Sequence, residues 1–457
     1  MSVKKIVGSV EEAIAGVKSG MTVLVGGFGG AGTPHHLLQA MLKAGLKDLT
    51  AVAIGYTQVW DFIEQRRLKK LVTAFPTPWD AKQQAIFEEQ WRSGSLQVEL
   101  MPQGTLAERI RAAGAGIGAF YTTVGVGTFI AEGKERRTID GKEYLLERPL
   151  KADVAVIKAY KADEMGNLVY RRSARTVNPI MATAADLTIA EVEEVVPAGA
   201  LDPEHIVTPG IYVDRVVQVK SDTVWKYPGK PTTAQGKQGI GLTRELMALR
   251  AIKEFRPGEV VNLGMGLPAL ASNFMDYESG VILHAENGIL GYGPIAEREQ
   301  ADKDLVNASG NPVTLLPGAC FMHHADSFAL VHSGKLDIAL LGAFQVSEKG
   351  DLANSAHPGR TLGGLGGAMD IATCAKRLVV LMEHTGGKGE KKILKRCTYQ
   401  VTAKECVDRI ITNLGVIDVT PQGLVLQEIA PDVTVEQVQE LTEPKLTIAR
   451  DLKVIEL

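Results

Sequence analysis

The chain has 457 residues, of which 45% are hydrophobic and 23% charged, and its formal net charge is -3. At roughly 100–200 residues per domain this length suggests about two to four domains, and the composition excludes a disordered chain. The near-balanced charge gives no electrostatic reason to expect nucleic acid or an anionic membrane as partner. No run of about 18 apolar residues occurs, so no membrane span is expected. The first residues lack the apolar core of a signal peptide, and Glu11 and Glu12 come too early for a transit peptide; a cytoplasmic location is the expectation. Cys320, Cys374, Cys397 and Cys406 form no CxxC pair and read as reduced thiols.

In chain order, the apolar run Thr22–Val25 reads as a strand that enters the glycine loop GGFGGAGTP (26–34), followed by a helix over His35–Lys43. Such a loop can offer unpaired N–H groups to an anion. It has neither the GK[ST] ending of a Walker A loop nor the spaced acid of a dinucleotide site, and a plain tight turn is the alternative. Residues 220–241 are rich in Gly, Pro, Lys and Thr and read as a linker. Thr243 is a plausible N-cap for an amphipathic helix reaching Phe255, with Pro257-Gly258 after its end. The strand Glu259–Leu263 then leads into a second glycine loop, Gly264-Met265-Gly266-Leu267-Pro268. Further on, the apolar run Val281–Ala285 ends at Glu286, and Asn287-Gly288 makes a turn. A third glycine cluster, GGLGGAMD (363–370), precedes the apolar run Leu378–Met382; it reads either as an oxyanion hole or as a surface loop.

The chain repeats itself. DVAVIKAYKADEMGNL (153–168) and DIALLGAFQVSEKGDL (337–352) share six of sixteen positions. The segment 20–34 parallels 258–268, and VELMPQGT (98–105) parallels VTLLPGAC (313–320), in the same order. Three pairs in register argue for two related domains, 1–219 and 242–457, rather than a short-period solenoid. Short Val/Ile/Leu runs alternating with helical patterns predict an α/β fold, with mainly parallel sheets and helices packed on them. Such sheets bind ligands at the carboxyl ends of their strands, where the glycine clusters fall.

For chemistry, Glu286 stands out as an acid at a strand tip beside glycines 288, 291 and 293, although a solvated turn residue is the plainer reading of any such Glu. The pairs His35-His36 and His323-His324 point apart within each pair, and no HExxH occurs, so metal binding is not expected. No GxSxG elbow is present.

LHAENGILG (283–291) resembles the Ser-Glu-Asn-Gly signature of family I CoA-transferases. GGFGGAGTP, MPQGTLAERIRAAGAG, KAYKADEMGNLVYRRSAR, LGAFQVSEKGDLANS and GGLGGAMD fit that family in the same order, over nearly the whole chain. The match is closest to its fused, two-half members of the succinyl-CoA:3-oxoacid type. The resemblance implies covalent catalysis by Glu286 through a glutamyl-CoA thioester, with ping-pong kinetics. It implies an oxyanion donor at the Gly367 N–H together with Ala368, and a substrate contact at Gly366. It implies contacts to CoA along Gly264, Met265 and Gly266, to the acid through Gln103, and a further contact at Asn287. It implies acyl-CoA and carboxylic acids as partners, no cofactor because CoA is itself a substrate, and a homodimer or homotetramer. Two departures stand out. Ala285 replaces the usual serine, and His36 replaces an Asn, so His36 is expected to bear on acid specificity. A thioester hydrolase on the same scaffold and a non-catalytic metabolite sensor are the competing readings.

Overall fold

The computed structural model describes residues 5–78, 80–220, 240–356 and 362–457. Of the expected linker, residues 221–239 lie outside the described residues. The chain forms two α/β domains, each built on its own large sheet.

The first sheet runs in the order Ile6–Val7, Arg215–Gln218, Ala185–Val196, Ala152–Asp163, Thr22–Val25, Leu49–Val52, Leu68–Thr73, Gln97–Leu100, with every neighbouring pair parallel. Leu168–Val169 adds an antiparallel pairing on Ala152–Asp163. Both faces of this sheet are covered, which is why its strands read as continuous apolar runs. Val23 and Val25 belong to the core under helix His35–Lys43, and Leu24 to the core under helix Gln103–Gly114. Each such side chain, fully buried, contributes on the order of 2 kcal/mol.

The second sheet is mainly parallel, as expected, with antiparallel flanks. Its centre, from Ile282–Ala285 through Val260–Leu263, Ile338–Leu341 and Arg377–Leu381 to Arg409–Ile411, is parallel. Ile289–Ile295 and Val313–Phe321 extend one flank antiparallel, and Gly415–Thr420 and Gly423–Ile429 the other, before Thr447–Val454 closes the edge in parallel. At the first of these pairings the loop Glu286-Asn287-Gly288 is too short for a crossover and can only join antiparallel neighbours. The helix expected from Thr243 spans Arg244–Ile252, with the Thr243 side chain accepting from the Leu246 amide.

The repeat has a spatial counterpart. Helices Gln103–Gly114 and His324–His332 pack against each other across the domain boundary. The first amide of each donates into the opposite half: Gln103 N–H to the Gly366 carbonyl at 3.0 Å, and His324 N–H to the Thr176 carbonyl at 2.9 Å. Both accepting residues sit in left-handed backbone, Gly366 at φ 49° and Thr176 at φ 39°. The two halves are not chemically equivalent there. In the first half the Asn178 side chain packs against Gly26, donating to the Gly32 carbonyl at 3.0 Å and accepting from the Lys158 amide at 3.1 Å.

Candidate active site

The carboxyl ends of the two sheets meet around a cleft of about 1170 Å³. From the first half come Phe28–Gly30, Ile54–Thr57 and Phe75, each just beyond a parallel strand, and Gln103. The second half contributes Gly264, Glu286, Gly342 and the segment Leu362–Ala368. A smaller cavity of about 310 Å³ adjoins Glu286 on its other side, bounded by Leu270, Tyr292, Ile295, Asn307 and Asn311.

Glu286 sits at the tip of the hairpin between Ile282–Ala285 and Ile289–Ile295. Gly288 makes the tip possible. Its φ is 108°, and an added Cβ would stand 2.0 Å from the Met322 carbonyl oxygen. Burial raises the Glu286 pKa above the ordinary carboxylate range, against a backbone hydrogen bond and the Asn262 amide, which donates to Glu286 Oε2 at 3.3 Å. That amide also donates to the His284 carbonyl at 3.1 Å, and His284 Nε2 meets Ser327 Oγ at 2.8 Å. Burial pushes His284 down to about 4, so it is a neutral part of this support. The carboxylate is thus held by the Asn262 amide and a backbone N–H, partly stripped of water, and lines the cleft. These are the conditions that raise a carboxylate's nucleophilicity.

The third glycine cluster is partly helical: residues 368–374 form a short helix rather than a surface loop. The Gly367 N–H has no protein acceptor among the described residues, and Gly367 lines the cleft with Glu286. The Ala368 N–H is already bonded to the Leu365 carbonyl at 3.1 Å, so it is not a second free donor; Gly367 carries that expectation alone. Gly366 anchors the segment by accepting from Gln103 and donating to the Ala74 carbonyl.

Gly264 and the half-exposed Met265 line the cleft, and Gly266 lines the smaller cavity, also bounded by Ala285. Asn287 does not face either cavity. It is buried, donates to the Val306 carbonyl at 2.8 Å, and clamps the neighbouring loop. His36 is also outside the cleft lining. Its amide and that of Leu37 donate to Glu191 Oε2 at 2.9 and 3.1 Å, and its ring Nδ1 stands 3.5 Å from Glu191 Oε1. The helix N-terminus behind the first glycine loop is therefore capped by the protein's own buried carboxylate, and a bound anion is not needed to satisfy it.

Several supporting residues are not evident from the sequence. Asn262 carries a usable signal, a lone amide inside the apolar strand VVNL. Asp370, fully buried, accepts from the Gly104 and Thr105 amides at 3.0 and 3.1 Å and from His332 Nε2 at 3.0 Å. Helix Gln103–Gly114 starts after Pro102, which gives no side-chain cap, and Asp370 supplies the cap from the other domain. Nothing in local sequence marks that partnership.

The model of the coenzyme A transferase family matches residues 7–219 and 245–441. The chain belongs to the coenzyme A transferase family. This transferase is 41% identical over 474 residues to the human mitochondrial succinyl-CoA:3-ketoacid coenzyme A transferase 2, covering 97% of this chain and 90% of that protein. Its first half is 48% identical over 221 residues to one of the subunits of a 3-oxoadipate CoA-transferase from Pseudomonas putida, covering 48% of this chain and 94% of that polypeptide. The fold is also that of the acyl-CoA transferase apoenzyme from Escherichia coli O157:H7, with a TM-score of 0.82 at 22% identity, over 100% of this chain and 96% of that one. No helix among the described residues of the transferase is long and apolar enough to cross a membrane.

Proposed function

We propose that this transferase moves CoA from an acyl-CoA, succinyl-CoA or a short-chain one, to a 3-oxoacid, with Glu286 as covalent carrier. The observation that carries this reading is the Glu286 carboxylate. It is desolvated, held through Oε2 by Asn262, and lines a cleft shared by both halves together with Gly367, whose N–H has no protein acceptor among the described residues. A carboxylate oxygen of Glu286 attacks the thioester carbonyl, and the C–S bond breaks. An acyl-glutamyl anhydride and CoA thiolate result. The thiolate then attacks the glutamyl carbonyl, the anhydride C–O bond breaks, and the donor acid leaves as its carboxylate. The resulting glutamyl-CoA thioester reacts with the acceptor acid by the same two steps in reverse. Each attack builds an oxyanion, and the Gly367 N–H is the donor for it, worth about 3 kcal/mol. Thioester energy is conserved throughout, so no cofactor is required.

The same reading makes this a cytoplasmic homodimer or homotetramer with reduced thiols. For the thiols alone, burial pushes Cys374, Cys397 and Cys406 up to about 12, where they are inert. The mechanism is tested by mass analysis after incubation with acyl-CoA and no acceptor. The peptide containing Glu286 is expected to gain CoA, and Glu286→Ala to abolish both this adduct and CoA exchange. Exchange that survives Glu286→Ala would remove the mechanism, and rapid release of free thiol without an adduct would favour hydrolysis.

A further inference from the structure

Gln103 borders the cleft beside Gly366 and Gly367. Under the proposed transferase function it touches the acid substrate, and the role assigned here to its neighbour His324 rests on that function. The Gln103 carboxamide is 2% exposed and meets the ring of His324, which is wholly buried. Gln103 Nε2 stands 2.8 Å from His324 Nε2. The other end of the amide faces the cleft, with Oε1 3.9 Å from where a Cβ on Gly366 would stand. Rotating a carboxamide by 180° exchanges its nitrogen and oxygen without moving any other atom, so the hydrogen-bond inventory has to decide between two arrangements.

Two nitrogens facing each other require one to donate and the other to be bare. If Gln103 donates, the single proton of the neutral ring sits on Nδ1. His324 Nδ1 is buried and has no hydrogen-bond partner. Its surroundings are aromatic, with the Phe28 and Phe328 rings centred 5.7 and 5.2 Å away. The arrangement therefore leaves an orphaned N–H in an apolar pocket, the rarer kind of unsatisfied buried group. It also points a carbonyl oxygen at a cleft built to receive anions. If the amide is turned, the ring N–H at Nε2 donates to Oε1, Nδ1 keeps a bare lone pair, and two N–H donors face the cleft. Burial also pushes His324 down to about 3, so the ring carries one proton at neutral pH.

We propose that His324, protonated on Nε2, holds the Gln103 carboxamide by its oxygen and so turns its NH2 into the cleft as donor to the carboxylate of the acid substrate. His324 is thus a positioning residue, acting through Gln103 from the first turn of the facing helix.

Nitrogen NMR of the histidine-labelled protein, with His324 assigned by loss of its signals in His324→Phe, reads the tautomer directly. A protonated Nε2 and bare Nδ1 are expected; a proton on Nδ1 overturns the proposal. His324→Phe keeps a ring between Phe28 and Phe328 but removes both nitrogens. It is expected to raise KM for the acid acceptor roughly tenfold with a smaller change in kcat, the size of one lost hydrogen bond. In a Gln103→Ala background the same substitution should add no further loss. An equal loss in both backgrounds would mean that His324 does not act through Gln103. Absence of CoA exchange in the unsubstituted protein would instead strike the transferase reading itself, while the tautomer measurement would still stand.

Discussion

At the scale of single residues, Glu286 couples activity to stability. Its pKa is raised, chiefly by burial, so its proton is held more tightly in the folded chain than in the unfolded one. The nucleophile is the ionised form, so kcat/KM for acyl-CoA should fall as pH drops through a value above the ordinary carboxylate range of about 4.3. The stability sign is opposite. Between the unfolded and the raised folded pKa the folded state binds more protons, so stability falls as pH rises through that window. Glu286→Gln should therefore be inactive yet more stable than the parent at neutral pH, with the difference vanishing in acid below the unfolded pKa. Thermal unfolding across pH checks this; a less stable Glu286→Gln at neutral pH would mean that the site carries no desolvation cost.

At the scale of elements, two helices, one behind the first glycine loop and one bordering the cleft, start without a cap of their own. Pro34 and Pro102 precede His35–Lys43 and Gln103–Gly114, and neither provides a side-chain acceptor. Glu191 and Asp370 fill that role from distant strands and helices. The Asp370 case aims Gln103, because the capped turn contains it. Asp370→Ala leaves two buried amides and His332 without their acceptor. It should cost about 2 kcal/mol of stability and raise KM for the acid, measured by denaturant unfolding and steady-state kinetics. Unchanged KM with lowered stability would separate the cap from the site.

At the scale of the whole molecule, the two domains are joined by much more than the connecting segment. Gly104 packs so closely on the other domain that an added Cβ would lie 2.5 Å from Phe328 Cδ1 and 2.6 Å from Asp370 Oδ1. Arg171 of the first domain forms a two-pronged ion pair with Asp302, at 2.7 and 2.5 Å, and reaches Asp304 at 2.7 Å. The site itself is incomplete in either half, since Gln103 comes from one and Glu286 from the other. Residues 1–219 and 242–457 expressed together as separate chains should therefore associate and recover CoA exchange, and neither alone should show it. Co-elution and an exchange assay test this; two halves that fail to bind would assign the assembly to the covalent connection. The Pseudomonas putida polypeptide, which aligns with the first half along 94% of its length, makes the division a natural one.

Much of this was legible in one dimension because its causes are local. Apolar runs such as Ile338–Leu341 announce strands buried on both faces, and the pairing of 153–168 with 337–352 announces two related domains. Glu286 was legible as an acid at a strand tip followed by Asn-Gly, since a hairpin of that kind is set by neighbours in sequence. The antiparallel flanks of the second sheet, the bonded Ala368 amide and the inward-facing Asn287 were not, because each depends on what packs opposite. His36 shows the same limit. The resemblance to the family implied a place by the substrate, and Glu191, distant in sequence, sets its backbone and ring elsewhere. The pairings that shape the site join residues 221 positions apart, Gln103 to His324, and 266 apart, Gly104 to Asp370. By itself, then, the sequence determined the strands, the repeat and the place of Glu286 at a strand tip, whose physics is short-range; its resemblance to the family marked that acid as the nucleophile. The tertiary structure alone decided which buried donors and acceptors complete one another, because that depends on which surfaces are brought together when two cores exclude water.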